Sequence, residues 1–233
     1  MSEFVHFEIR EGIAVIKMDD GKVNALGHEM FDALEKALDQ AEEAGCPVVL
    51  TGREGRFSAG FDLKTMMSGR DAAVKLVTKG AEFYARLYTF PRPLVAACSG
   101  HALAGGALLL LAADERIGID GPFKVGLNEV QIGIPLPHFG RELARERLHP
   151  QHLTRAAMGA HIYTPVEAID AGFLDQVLAE EDLIETALRK AKHYGAFSSE
   201  AYAKTKAGLR EATAQLIRDS IDEDILKMLP STS

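Results

Sequence analysis

The sequence has no tryptophan and only two cysteines among its 233 residues. Cys46 and Cys98 lie in apolar or Pro-flanked surroundings, which points to a reducing compartment rather than a disulfide framework. Long apolar runs are also missing. The longest uncharged run of apolar and glycine residues, Ala102 to Ala113, falls well short of the roughly 20 residues that a membrane helix needs, so no membrane association is expected. Basic residues are outnumbered, 26 Lys and Arg against 34 Asp and Glu. The resulting net charge of −8 argues against a surface for nucleic acid or anionic lipid. Met1-Ser2-Glu3-Phe4 lacks the basic start and apolar centre of a signal peptide, and Pro230-Ser231-Thr232-Ser233 is not a peroxisomal address; the expected location is cytoplasmic. Hydrophobic residues make up 47% and charged residues 26% of the chain, enough to bury a core without a disulfide or metal staple.

Alternating residues from Phe4 to Ile9 and Ile13 to Met18, around Glu11-Gly12, predict a β-hairpin. Phe31, Leu34, Leu38 and Ala41 repeat at helical spacing until Gly45-Cys46-Pro47. Val48-Val49-Leu50 and Leu94 to Cys98 are wholly apolar, the pattern of strands covered on both faces. A helix is predicted from Asp71 to Tyr88, another strand at Arg116–Ile119, and a helix buried all round at Ala104–Ala113. This alternation predicts an α/β core. From Phe139 onward the pattern is helical. Thr164-Pro165-Val166-Glu167 reads as a capping box with Pro at the first helical position, and Gly172 as its C-terminal stop. Helices are further predicted at Glu181–Tyr194 and Ser198–Met228. With no linker or repeat, the expectation is a core over residues 1–190 and a helical region over 191–233.

Three segments are candidates for chemistry. Ser58, Ala59 and Gly60 in Arg56–Lys64 would let a ligand approach the backbone, or would simply make a turn. Ser99 to Gly106 leads into the buried helix, whose first N–H groups lack internal acceptors and could face a carbonyl oxygen; close helix–strand packing explains the glycines equally well. His101 in this segment has no dyad partner nearby and reads as a packed or solvent-facing histidine. Glu129, in the Gly-bounded and largely apolar run Gly126 to Pro135, is either an exposed loop residue or a desolvated proton shuttle.

In their order and spacing these segments resemble the crotonase superfamily, the enoyl-CoA hydratase/isomerase family. The resemblance starts at Lys22-Val23-Asn24-Ala25-Leu26. It continues through Phe57-Ser58-Ala59-Gly60-Phe61-Asp62-Leu63, Ala104-Gly105-Gly106 and Asn128-Glu129, and ends in Thr164–Ala168 and Ala171–Val177. It implies a spiral α/β core of ββα turns with a helical C-terminal region that assembles a homotrimer or hexamer. An acyl-CoA thioester is the implied substrate, with no metal and no cofactor beyond the coenzyme A that the substrate itself carries. By position, the thioester oxygen falls to the backbone N–H groups of Phe61 and Gly105. Asn24, Ala25, Leu26, Ala59, Gly60, Asp62, Leu63, Lys64, Leu108 and Asn128 are the implied substrate contacts. Lys22, Arg53, Arg56 and Lys64 are the cations nearest to where CoA phosphates would lie.

Family hydratases carry two glutamates. One position holds Leu108 here, three residues beyond Gly105 and thus on the same helical face, where it is expected to look into the pocket and exclude water. The other holds Glu129. Leucine cannot position water, whereas one carboxylate suffices to move a proton from C2 to C4 of a 3-enoyl thioester. The pattern is similar to the family's mitochondrial-type Δ3-Δ2-enoyl-CoA isomerases, and fatty acid metabolism is the implied setting. Hydration, thioester hydrolysis with His138 assisting, or acyl-CoA binding without turnover are the alternatives. Leu136-Pro137-His138-Phe139 replaces the family's Gly-rich stretch, which implies a reshaped acyl end.

Overall fold

The computed structural model describes residues 4–221. The chain begins with the hairpin β1 (Val5–Arg10) and β2 (Ile13–Met18), then β3 (Ala25–Leu26) and α1 (His28–Glu43). A second round supplies β4 (Val48–Thr51), β5 (Gly55–Ser58), β6 (Gly60–Phe61), α2 (Leu63–Met67) and α3 (Arg70–Tyr88). The third consists of β7 (Leu94–Cys98), β8 (Gly100–Leu103) and α4 (Gly105–Ala112). After β9 (Glu115–Ile119) and β10 (Val125–Gly126) come α5 (His138–Arg147), α6 (Pro150–Leu153) and α7 (Pro165–Ala171). Then β11 (Gln176–Leu178), α8 (Leu183–Gly195) and α9 (Ser199–Asp219) follow.

Each round gives strands both to a main sheet and to a minor one. The main sheet runs β1-β2-β4-β7-β9-β11 and the minor sheets β10-β8-β5 and β3-β6. Only the β1–β2 pair is antiparallel among them. The central strands β4 and β7 are nearly all apolar because both faces are covered. Val48 and Leu50 point into the principal core, whereas Val49, Val95 and Ile117 point the other way, under Leu183, Ala187 and Ala191 of α8. Every residue of α4 is buried, as its lack of a polar face requires. This is the α/β spiral with helices at its C-terminal end that the resemblance implies.

Beyond Phe139 the chain is not purely helical: β11 joins the main sheet beside β9. Its three residues are all half-buried, so they carry no alternation a sequence reading could detect. The expected boundary at residue 190 falls inside α8, and Ala187 and Ala191 on either side of it pack in one cluster. The Thr164 capping box forms, with Thr164 N–H donating to Glu167 Oε2 at 2.9 Å and Gly172 ending α7 at φ 89°. α9 lies back on α3 and α5 of its own chain. Arg210 there sits 4.5 Å over the Tyr88 ring and donates to Tyr88 O at 2.9 Å. The predicted continuation to Met228 runs past the described residues. Among those described, no helix is long and apolar enough to cross a membrane.

Candidate active site

The pairing of β3 with β6 orients the first candidate segment. Asp62 N–H donates to Leu26 O at 3.2 Å. Ala59 N–H donates to Val23 O at 3.0 Å, and Gly60, at φ 92°, breaks the strand alternation between these two bonds, next to the Phe61 N–H. β6 also lies against the start of α4: an ideal Cβ on Gly60 would stand 3.0 Å from Gly105 N. Gly105 is the first residue of α4, where an N–H has no acceptor within its helix and the helix dipole is positive. The two N–H groups singled out in the sequence therefore belong to neighbouring pieces of backbone. Glycine at 105 is dictated by space, because a Cβ there would lie 2.8 Å from the Tyr84 hydroxyl and 3.2 Å from the Phe61 ring.

Glu129 approaches from the third segment. Its carbonyl accepts from Ile132 N–H at 3.1 Å and Ile134 N–H at 2.9 Å, and Gly133 closes this turn at φ 78°. The residue is 9% exposed, and its Oε2 has no hydrogen-bond partner; neither has Asn128 Oδ1. Burial pushes the Glu129 carboxyl up to about 7, against a smaller downward pull from its own backbone N–H. A pocket of about 150 Å³ connects these parts, with Ala59, Phe61, Leu63, Ala104, Asn128 and Glu129 among its walls. Glu129 is its single titratable group among the described residues; apart from Asn128 the remaining walls are apolar or small. A carboxylate with an affinity for protons near neutrality, beside strand and helix donors, has the equipment to take a proton from carbon next to a carbonyl.

The other expected contacts divide. Ala25 and Asp62 line an adjacent pocket of about 340 Å³. The Asp62 carboxylate is occupied as the N-cap of α2, accepting from Lys64 N–H and Thr65 N–H. Asn24 is fully buried and its side chain is taken up within the fold. Its Nδ2 donates to Met18 O, Arg56 O and Phe57 O, and its Oδ1 accepts from Asp20 N–H. Leu26 is likewise part of the core. Leu108 is fully buried and is not among the walls of this pocket; it packs toward α5, its Cδ1 3.3 Å from where a Cβ on Gly140 would stand. Lys22 and Lys64 are exposed. Arg53 donates to Lys22 O and lies 3.6 Å from Asp19, and Arg56 donates to Gly55 O. His101 Nδ1 accepts from Lys124 N–H at 3.0 Å beside the Phe123 ring.

Val77, Met66, Ile132 and Pro137 also line the pocket and were missed in the sequence. One signal was available for α3. Gly80 interrupts a helical pattern, and a Cβ there would come within 2.4 Å of the Phe61 ring. An isolated helical glycine often marks close approach.

The fold and the buried carboxyl beside backbone donors define a candidate enzyme, and comparison with known proteins gives its family. The enoyl-CoA hydratase/isomerase family matches residues 8–231, and the chain belongs to it. Human mitochondrial enoyl-CoA delta isomerase 1 is 35% identical over 92% of this chain and 72% of its own length. A probable enoyl-CoA hydratase of Bacillus subtilis is 32% identical over 89% of this chain and 80% of its own. Among solved structures, an enoyl-CoA hydratase/isomerase family protein from Pseudomonas syringae superposes with a TM-score of 0.96. It shares 41% identity, and the match covers 98% of this chain and 99% of that one.

Proposed function

We propose that this enzyme isomerises 3-enoyl-CoA to 2-enoyl-CoA, in fatty acid metabolism. Glu129 removes a proton from C2 and returns it at C4, while the N–H groups of Phe61 and Gly105 hold the enolate oxygen. The observation that carries this reading is the isolation of Glu129: one buried carboxyl, raised to about 7, in a pocket without a second acid among the described residues. Shuttling a proton between two carbons needs one base that both accepts and releases it, and a group near neutrality does both. Adding water needs a further group to hold the nucleophile, and Leu108 cannot serve.

The acyl portion of the substrate occupies the 150 Å³ pocket, with Ala59, Leu63 and Asn128 beside it. The nucleotide end passes toward Ala25 and Lys64. A homotrimer or a dimer of trimers is the proposed assembly, to be read by light scattering. The catalytic proposal is tested by assaying Glu129→Gln on a 3-enoyl-CoA and the unmodified enzyme on crotonyl-CoA in parallel. The expected result is loss of isomerisation by at least about a hundredfold in the variant with acyl-CoA binding retained. Hydration of crotonyl-CoA faster than isomerisation, or an active Gln variant, would overturn it.

A further inference from the structure

Ala104 sits at φ 50° and ψ −124°, a conformation that a residue bearing a Cβ adopts only under strain. The peptide it strains is the one that carries the Gly105 N–H. Such a turn persists when its surroundings fix both ends. At the first end, Ala104 N–H donates to Gly126 O at 2.9 Å. At the other, the Gly105 carbonyl accepts from the Tyr84 hydroxyl at 2.7 Å. The α4 ladder already supplies that carbonyl with a donor four residues on, so the phenol is not needed to satisfy it.

Tyr84 is itself immobilised. It is completely buried, stacked on Phe139 with ring centres 5.2 Å apart and edge-on to Phe31 and Phe83. Its oxygen would stand 2.8 Å from a Cβ on Gly105, so the hydroxyl and the Gly105 backbone are held without slack. Resting on the reading of Gly105 as an enolate-stabilising donor, we infer that Tyr84 is a positioning residue. Its hydroxyl clamps the Gly105 peptide and keeps the strained Ala104–Gly105 N–H aimed at the thioester oxygen. Tyr84 acts through Gly105, and the proton transfer stays with Glu129.

Tyr84→Phe retains the ring and deletes the clamp. The expected outcome is an acyl-CoA Kd within about twofold of the unmodified enzyme and a kcat lower by roughly ten- to a hundredfold, the scale of a displaced catalytic group. Infrared spectra of bound butanoyl-CoA should show a smaller red shift of the thioester carbonyl, and Gly105 N–H should exchange faster with solvent. Ala104→Gly, which relieves the strain, should restore part of the lost kcat in the Tyr84→Phe background. An unchanged kcat, or a lowered kcat with the carbonyl band and Gly105 exchange both unaltered, overturns the clamp. If Tyr84→Phe does not fold, the double variant compared with Ala104→Gly alone decides by the same carbonyl band. If the unmodified enzyme turns over no 3-enoyl-CoA, the isomerase reading falls, and Gly105 exchange alone decides the clamp: faster in the variant supports it, unchanged refutes it.

Discussion

Leu108 Cδ1 lies 3.3 Å from where a Cβ on Gly140 would stand, so the α4 residue three places beyond the proposed donor is packed against α5. A carboxylate at that position would enter the core instead of the pocket. Leu108→Glu is therefore expected to destabilise the protein by several kcal/mol, because a buried, unpaired polar group costs roughly 2–7 kcal/mol on transfer from water. No hydratase activity should appear. Thermal unfolding together with a crotonyl-CoA assay checks both statements; a stable variant that hydrates crotonyl-CoA would show that position 108 does face the substrate.

Gly60 tests the meeting of β6 with α4. It combines a φ of 92° with a virtual Cβ 2.8 Å from Ala104 Cβ and 3.0 Å from Leu103 O. Gly60→Ala must both strain its backbone and push α4 away, at a cost of about 2–4 kcal/mol. Turnover should fall more steeply than stability, since the Gly105 N–H moves with α4. Urea unfolding and kcat on a 3-enoyl-CoA provide the comparison, and a variant with unchanged kcat would separate this contact from the chemistry.

What the sequence disclosed follows from how each signal is encoded. The buried strands and α4 were readable because burial on all sides leaves an uninterrupted apolar run, and α7 because its caps are local chemistry. Glu129 stood out as a carboxylate in an apolar setting. Helical spacing places Leu108 on one face with Gly105 but does not show what covers that face, and here α5 packs against it from some thirty residues away in sequence. Asn24 and Asp62, implied by the resemblance as substrate contacts, have hydrogen bonds that hold the loop and cap α2. Such polar residues look alike in sequence whether they serve a ligand or the backbone. The role of Tyr84 is invisible without coordinates, since its partner is a main-chain carbonyl 21 residues away.

Asp114 fastens α9 to the core. It accepts from Leu94 N–H, Tyr202 Oη and Lys206 Nζ, each within 2.9 Å, and pairs with Arg210 at 2.8 Å. Lys206 and Arg210 are 6% and 8% exposed, and removing the shared carboxylate would leave both cations buried without it. Asp114→Ala is expected to cost about 3–5 kcal/mol, the range for breaking a buried pair from one side. Hydrogen exchange should show α9 opening before the main sheet does. Equal protection of α9 in the variant would mean that apolar packing alone holds the helix.

Glu129 links the pH dependence of activity to that of stability. Its carboxyl is raised from an ordinary 4.5 to about 7 by burial. As a base it must be ionised, so kcat/KM should rise with pH around a midpoint near 7. The stability effect has the opposite sense. A carboxyl that holds its proton more tightly when folded supports the native state at low pH, and that support is lost as pH rises through 7, where the native state carries a buried charge. Above that point the penalty approaches about 3 kcal/mol. Glu129→Gln is neutral throughout, so its Tm advantage over the unmodified enzyme should be small near pH 5 and widen toward pH 8. Matching the two titrations tests one group by two independent routes. A rate profile with a midpoint near 7 beside a flat difference in Tm would assign the kinetic titration to some other residue.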